Sequence, residues 1–487
     1  MSTSAASTGP PLPNGVVAFV KKDCATCTLV EPVLRELETA GVLTAVFTQD
    51  DPAFPDVGVR LDDRSLEMSW HHNIETVPTL MTVVDGTETD RIVGWSRGMW
   101  AGFVGIDALG IKSGITDFSP GCGSMSVDPD KTAGLEARYG SGFASRKVDF
   151  ASAEDEVEAM YDRGWSDGLP LVPPTEERVA RMLGGTTRDR HDVVAIVPPN
   201  LVECSVEKVA INAVMAGCKP EYLPVILTAV EAACTDEFNM HGVLCTTMPV
   251  GPIVLVNGPI REAIGMNSGG NVLGQGNRAN ATIGRALQLV VRNVGGGEPG
   301  GIDKAAHGGP HKIGLCFAED EAGSPWESYA ESQGFTASQN TVTLFAGDGP
   351  RCVVDQLTRD ADGLAKSLAM NLVANIHPKI IIGMDTMVVI GPEHAQRFAD
   401  AGWSKQQVHD AILEHTVRDT DSLVRGADGV AEGLPDQFAG QRLPKFRPDG
   451  GLIIVFAGGE AGLFSAIMNG WVNGNTGSRP ITREIIS

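Results

Sequence analysis

The chain has 487 residues, 42% of them hydrophobic and 20% charged, a composition that can fill roughly two to four packed soluble domains. Acidic residues outnumber basic ones 61 to 38, a net charge of −23, which argues against nucleic acid or an anionic membrane as a partner because both require a basic face. The nine cysteines are odd in number and hold a single tight pair, the usage of a reducing cytoplasm rather than of a secreted disulfide framework.

In chain order, residues 1–12 are Ser/Pro-rich, have neither the basic nor the apolar region of a signal peptide, and read as a disordered tail. No apolar run along the sequence reaches the length of a membrane span. Residues 13–112 read as β-α-β, a polar insertion, then α-β-β-α. The strands fall at Val16–Val20, Val42–Thr48, Thr79–Val84 and Asp90–Gly94, with a hairpin turn at Asp85-Gly86. Between the first strand and an amphipathic segment, Leu29 to Leu37, stands Lys21-Lys22-Asp23-Cys24-Ala25-Thr26-Cys27. A Cys-x-x-Cys between strand and helix is a redox device. The helix N-terminus lowers the pKa of Cys24, expected to be the more exposed thiol, and Cys27, one turn inside, can close a disulfide with it. The two lysines favour a thiolate and Asp23 opposes it, so the redox potential stays open. The bland alternatives are a redox-inert scaffold or half of a zinc site, although a four-cysteine site needs a second Cys-x-x-Cys that the chain lacks.

Further on, Thr76-Val77-Pro78-Thr79 precedes the strand-like run Leu80 to Val84. With the Cys-x-x-Cys and the βαβ pattern between them, this stretch resembles the thioredoxin family over residues 13–112. The resemblance implies a thioredoxin-like domain in which Pro78 is cis, lies beside the reactive cysteines and contacts substrate. The motif departs from the family's usual aromatic and Gly-Pro neighbours.

Residues 113–150 are rich in Gly, Ser and Asp with little periodicity and read as a linker or long loop. Here Gly121-Cys122-Gly123 presents either a spare cysteine or a shuttle thiol that exchanges with Cys24 or Cys27. Residues 151–487 read as a large mixed α/β domain, with lobes expected at 151–338 and 339–487. An N-cap at Ser152 starts its first helix. Three units share one design of apolar strand, Gly elbow and helix. They are Ile253–Val256 with Asn257-Gly258-Pro259, Met387–Ile390 with Gly391-Pro392, and Ile453–Phe456 with Gly458-Gly459. In such sheets ligands collect at the carboxyl ends of strands.

The candidate substrate site lies where the Gly/Asn loop and helix around Asn277, Arg278, Asn280 and Arg285 meet the loop carrying His307 and His311. Helix-start N–H groups and the arginines suit an anion, Lys304 and Lys312 add charge, and a histidine moves protons near neutral pH. The plainer reading pairs the arginines with Glu298, Asp303 or Glu319. Neither a P-loop nor a dinucleotide fingerprint is present, and no Gly-x-Ser-x-Gly elbow occurs. Gly164-Trp165-Ser166-Asp167-Gly168-Leu169-Pro170 and Arg278-Ala279-Asn280-Ala281-Thr282-Ile283-Gly284-Arg285 are similar to stretches in bacterial proteins that join a thioredoxin-type domain to a large Gly-rich domain. That resemblance implies architecture and not a reaction.

The leading expectation is a cytoplasmic thiol-dependent redox enzyme, homo-oligomeric, with no cofactor and no bound metal. Cys24 attacks, Cys27 resolves, and the large domain acts on a small anionic or sulfur-containing substrate with a thiol reductant or redox protein as partner. One alternative is a metal-assisted lyase or hydrolase using His241, Cys245, His307 and His311. The other is a docking or scaffold subunit.

Overall fold

A computed structural model describes residues 10–140, 142–146, 148 and 155–486 of a mixed α/β chain. It forms two compact units, one within 1–144 plus 176–180 and one within 145–175 plus 181–487. Of the expected tail, residues 1–9 lie outside the described residues, as does the N-cap expected at Ser152. Leu12 is buried, and the Pro10 carbonyl accepts from His72 Nε2 at 3.0 Å. The described helix Glu156–Asp162 is capped instead by Asp155, whose carboxylate accepts from the N–H groups of Val157 and Glu158.

Unit 1 is built on strands β1 (Gly15–Val20), β2 (Leu43–Thr48), β3 (Arg60–Asp62), β4 (Thr79–Val84) and β5 (Thr87–Val93), in the order β3-β2-β1-β4-β5. β2 is parallel to both β1 and β3, while β4 runs antiparallel to β1 and β5. Helix α1 (Ala25–Thr39) makes the crossover from β1 to β2 and buries Val30, Val33, Leu34 and Leu37, one face at helical spacing. The β4–β5 turn puts Asp85 and Gly86 at φ 51° and 75°, as a two-residue hairpin requires. The stretch expected to be a linker adds two short antiparallel ladders: Phe118–Ser119 pairs with Trp95–Ser96, and Cys122–Gly123 with Thr76–Val77.

Unit 2 holds an eight-stranded sheet. Its strands are β6 (Gly251–Asn257), β7 (Leu315–Ala318), β8 (Thr341–Gly347), β9 (Arg351–Val354), β10 (Met384–Ile390), β11 (Leu452–Phe456), β12 (Phe464–Val472) and β13 (Ile481–Glu484). Two similar halves meet at the register pair Gly347–Gly470. In each, an apolar strand (β6 or β10) is parallel to one neighbour (β7 or β11) and antiparallel to the other (β8 or β12). The halves then exchange a strand: β9 follows β8 but pairs with β12, and β13 follows β12 but pairs with β8. All three apolar runs expected as strands are strands here, but a helix follows only β6 (Ile260–Ala263) and β10 (Pro392–Asp400). After β11 the chain passes through its glycine elbow into strand β12, which pairs back onto β10, so a strand stands where the third helix is expected. A cut at 338/339 would separate β8 from its hydrogen-bonded partner β6.

The sheet curls until its ends touch, with Asp320 N–H donating to the Phe456 carbonyl at 2.9 Å. The inner face packs Ile253, Leu255, Leu315, Phe317, Phe345, Met387, Val389, Ile453, Val455 and Met468 into one core. The alternate residues of β10 and β11, Val388, Ile390, Leu452 and Ile454, face the helices Ala361–Val373, Pro392–Asp400 and Lys405–His415. The junction needs glycine, because a Cβ on Gly470 would stand 2.5 Å from the Asp385 carbonyl oxygen. Among the described residues no helix is long and apolar enough to cross a membrane.

Candidate functional site

Three thiols converge in unit 1. Cys24 is the N-cap of α1, in extended backbone at φ −146° and ψ 116°, and its Sγ accepts from Cys27 N–H at 3.3 Å. Cys24 Sγ also lies 3.6 Å from the carbonyl of Val77, the residue whose peptide to Pro78 is cis. Val77 is the ladder partner of Cys122, and the Cys122 thiol stands within hydrogen-bonding reach of Cys24. Both motif cysteines are buried, Cys24 4% exposed and Cys27 0%, so the difference in exposure expected between them is small.

The electrostatics separate the three. The Cys27 thiol is the largest influence on Cys24. With the Cys122 thiol and the N–H groups of Cys27 and Thr26, it lowers the Cys24 pKa to about 5 against the opposing effect of burial. Burial, then the hydrogen bond to Cys24, pushes the Cys27 thiol far up. Cys122 is raised more modestly, by burial and by the bond to Cys24. One ready thiolate with two protonated thiols beside it is an arrangement for thiol–disulfide exchange: the nucleophile is charged and each neighbour can attack its sulfur next.

The segment carrying Cys122 is held by contacts that spacing alone did not reveal. Thr26, inside the Cys-x-x-Cys, bonds Ser119 Oγ at 2.7 Å and donates to the Pro120 carbonyl at 2.5 Å. Gln49 donates to Ser124 Oγ at 2.6 Å and accepts from Met125 N–H at 3.0 Å. Gly121 lies against the Thr76 side chain and the Val77 backbone, where a Cβ would sit 2.3 Å from Thr76 Cγ2 and 3.0 Å from the Val77 oxygen. The flanking glycines of Cys122, legible in the sequence, were the one available signal.

In unit 2 the residues expected at the anion site are engaged internally. Asn277 caps the helix Arg278–Asn293 through Asn280 N–H at 3.1 Å, and Asn280 is buried, bonding Asn267 through both its N–H and its carbonyl. Arg278 donates to the carbonyls of Gly217 at 2.9 Å and Cys218 at 3.4 Å, the C-terminal end of the helix Val206–Ala216. Arg285 makes a bidentate pair with Asp167, both bonds 2.8 Å, and reaches the Leu169 and Pro170 carbonyls. Thus the two stretches noted for their resemblance are tied to each other. Lys312 pairs with Asp303 at 3.1 Å.

His307 is exposed, whereas His311 is buried with Nε2 2.7 Å from the Pro249 carbonyl and Nδ1 without a partner; burial lowers its pKa. The helix meets the His311 segment backbone on backbone, since a Cβ on Gly284 would lie 3.0 Å from the Gly314 carbonyl carbon. Among the described residues no group of three or more His, Cys, Asp or Glu side chains could hold a metal.

At the elbows, sequence reasoning missed a buried charge cluster. Asn257 Nδ2 donates to Glu319 Oε2 at 2.7 Å and Glu321 Oε1 at 2.9 Å, and Gly258 N–H donates to Glu321 at 2.7 Å. Lys405 Nζ stands 3.8 Å from Glu319, and Arg261 Nε 3.5 Å from Glu321. Carboxylates and cations match two to two, so the cluster staples the closed end of the sheet. The pattern was hidden because its members are spread from 257 to 405.

No protein-family model matches the chain, and no curated protein matches it.

Proposed function

We propose that the protein is a thiol–disulfide oxidoreductase whose unit 1 is a thioredoxin-like exchange module. The observation that carries this reading is the Cys24 thiol at the N-cap of α1, 3.6 Å from the Val77 carbonyl, with its pKa lowered to about 5. The Cys24 thiolate attacks a substrate disulfide, forms a mixed disulfide and expels one substrate sulfur as thiolate. Cys27 then attacks the Cys24 sulfur, closes the Cys24–Cys27 disulfide and releases the second substrate sulfur, which carries away the Cys27 proton. Two electrons pass from the dithiol to the substrate, and a thiol reductant restores the pair.

A sulfur-containing substrate is favoured over a merely anionic one, because Arg278, Arg285 and Lys312 already have partners. In this reading the protein is a cytoplasmic homo-oligomer whose unit 2 serves that substrate; an odd number of cysteines with a single tight pair supports a reducing compartment. The test is insulin or glutathione-disulfide reduction by wild type, Cys24→Ser and Cys27→Ser. Loss of turnover in Cys24→Ser and a lowered turnover in Cys27→Ser, with folding intact, are the expected results. A Cys24→Ser protein that keeps wild-type turnover would remove the proposal.

A further inference from the structure

The geometry points to Cys122 as a second resolving cysteine, which closes an intramolecular disulfide with Cys24 in place of Cys27. This rests on the exchange reading of unit 1 and adds a branch to it.

Three independent features place Cys122 for the role. It is the antiparallel ladder partner of Val77, whose carbonyl is 3.6 Å from Cys24 Sγ. Directly opposed residues of an antiparallel pair sit with Cα atoms roughly 4.5–5.5 Å apart, which keeps Cys122 at the rung nearest Cys24. The main chain around it is fixed on both sides: Thr26 bonds Ser119 and Pro120, and Ser124 N–H donates to the Glu75 carbonyl at 2.9 Å. Finally, Gly121 lets the chain lie against the Thr76 side-chain methyl and the Val77 carbonyl oxygen, where a Cβ would clash, and Gly94, at φ +69°, faces it with room for no more than hydrogen. A spare cysteine in a flexible segment needs none of these contacts. The thiol is also partly exposed, whereas Cys27 is fully buried.

The chemistry balances with glutathione disulfide as the oxidant. The Cys24 thiolate attacks one sulfur of the oxidant, forms a Cys24–glutathione mixed disulfide and releases one glutathione thiolate. Cys122 attacks the Cys24 sulfur, the Cys24–Cys122 bond forms, and the second glutathione leaves with the Cys122 proton. Two thiols are oxidised and one disulfide is reduced. Attack by Cys27 on Cys24 then converts Cys24–Cys122 to Cys24–Cys27 and frees Cys122, with no net redox change. Cys122 can therefore hold the site oxidised and hand it on to the buried pair.

The experiment uses the full chain as wild type, Cys27→Ser, Cys122→Ser and the Cys27→Ser/Cys122→Ser double variant. Each is exposed to glutathione disulfide, quenched with acid and mapped by mass spectrometry without reduction. A tethered thiol acts at an effective concentration on the order of millimolar, so at about 0.1 mM glutathione Cys27→Ser should carry roughly tenfold more Cys24–Cys122 disulfide than Cys24–glutathione. The double variant should accumulate Cys24–glutathione. If Cys27→Ser instead accumulates Cys24–glutathione with Cys122 reduced, Cys122 does not resolve, while a wild-type Cys24–Cys27 disulfide would leave the proposed function standing. If Cys24 takes up no glutathione in the double variant, the exchange reading and this branch fall together. Thermal melts of each variant confirm that serine has not unfolded the protein.

Discussion

The titration of Cys24 sets a pH profile that separates it from an ordinary cysteine. With its pKa lowered to about 5, Cys24 is about nine-tenths thiolate at pH 6. A free thiol of pKa about 8.5 is only about 0.3% thiolate there, a difference of about 300-fold. Reactivity per thiolate falls with pKa, however, and a Brønsted coefficient of about 0.4–0.5 over about 3.5 pH units removes roughly 25- to 55-fold. On these two factors Cys24 should react with iodoacetamide about 5- to 12-fold faster than a reference cysteine peptide at pH 6, about equally near pH 7, and more than tenfold slower at pH 8.5. The absolute rate at neutral pH therefore decides nothing; the shape does. Quenched alkylation followed by mass spectrometry of the Cys24 peptide, from pH 4 to 9, should give a midpoint near 5 and a plateau above about pH 6.5. Burial lowers the whole curve without moving its midpoint. Cys27→Ala removes the foremost hydrogen bond to the thiolate, and losing a bond to a charged group, about 1.5–3 kcal/mol, should raise the midpoint by about 1–2 units. A wild-type rate climbing tenfold per pH unit between 6 and 8 would refute the reasoning. Stability follows the same sign: a depressed pKa stabilises the fold fully above the unfolded value of about 8.5, and this is lost as the pH falls through about 5.

Further outcomes follow from unit 2. Arg285→Ala strips the half-buried Asp167 of both its 2.8 Å bonds and should cost about 3 kcal/mol in urea denaturation; a change under about 0.5 kcal/mol would make the pair ornamental. Although burial opposes it, the guanidinium holds the Asp167 pKa down, so this contribution disappears as the pH drops below the usual carboxylate value of about 4. Gly284→Ala presses a methyl to 3.0 Å from Gly314 and 3.1 Å from Leu315 backbone and should destabilise by about 1–3 kcal/mol, read as a lower midpoint at unchanged denaturant slope. Buried Lys445 donates to the carbonyls of Asn375, His377 and Ile380 at 2.9, 2.8 and 2.6 Å. Lys445→Met leaves these acceptors bare and should cost about 3 kcal/mol or more; a neutral result would mean water replaces the ammonium without loss.

Much of this was present in the sequence. Period-2 and fully apolar runs placed β1, β2, β4, β6, β10 and β11, because a strand buried on one or both faces must repeat its apolar residues locally. Cys24 and Cys27 were visible as a pair because one helical turn separates them, and Asp85-Gly86 because a tight hairpin needs positive φ at adjacent residues. What spacing could not decide was which distant groups meet. Arg278 and Arg285 read as a free positive centre, yet their partners lie about sixty and more than a hundred residues away, at Gly217 and Asp167. The exchange of β9 and β13 between halves, and the curl that brings Asp320 to Phe456, depend on sheet twist and packing that no local pattern encodes. Cys122 shows the division within one residue. Its flanking glycines marked an accessible backbone, but only the pairing of Cys122 with Val77 set its sulfur beside Cys24. Local sequence governs the conformations a segment can adopt cheaply, whereas contacts between segments follow from the burial and hydrogen bonding of the whole chain.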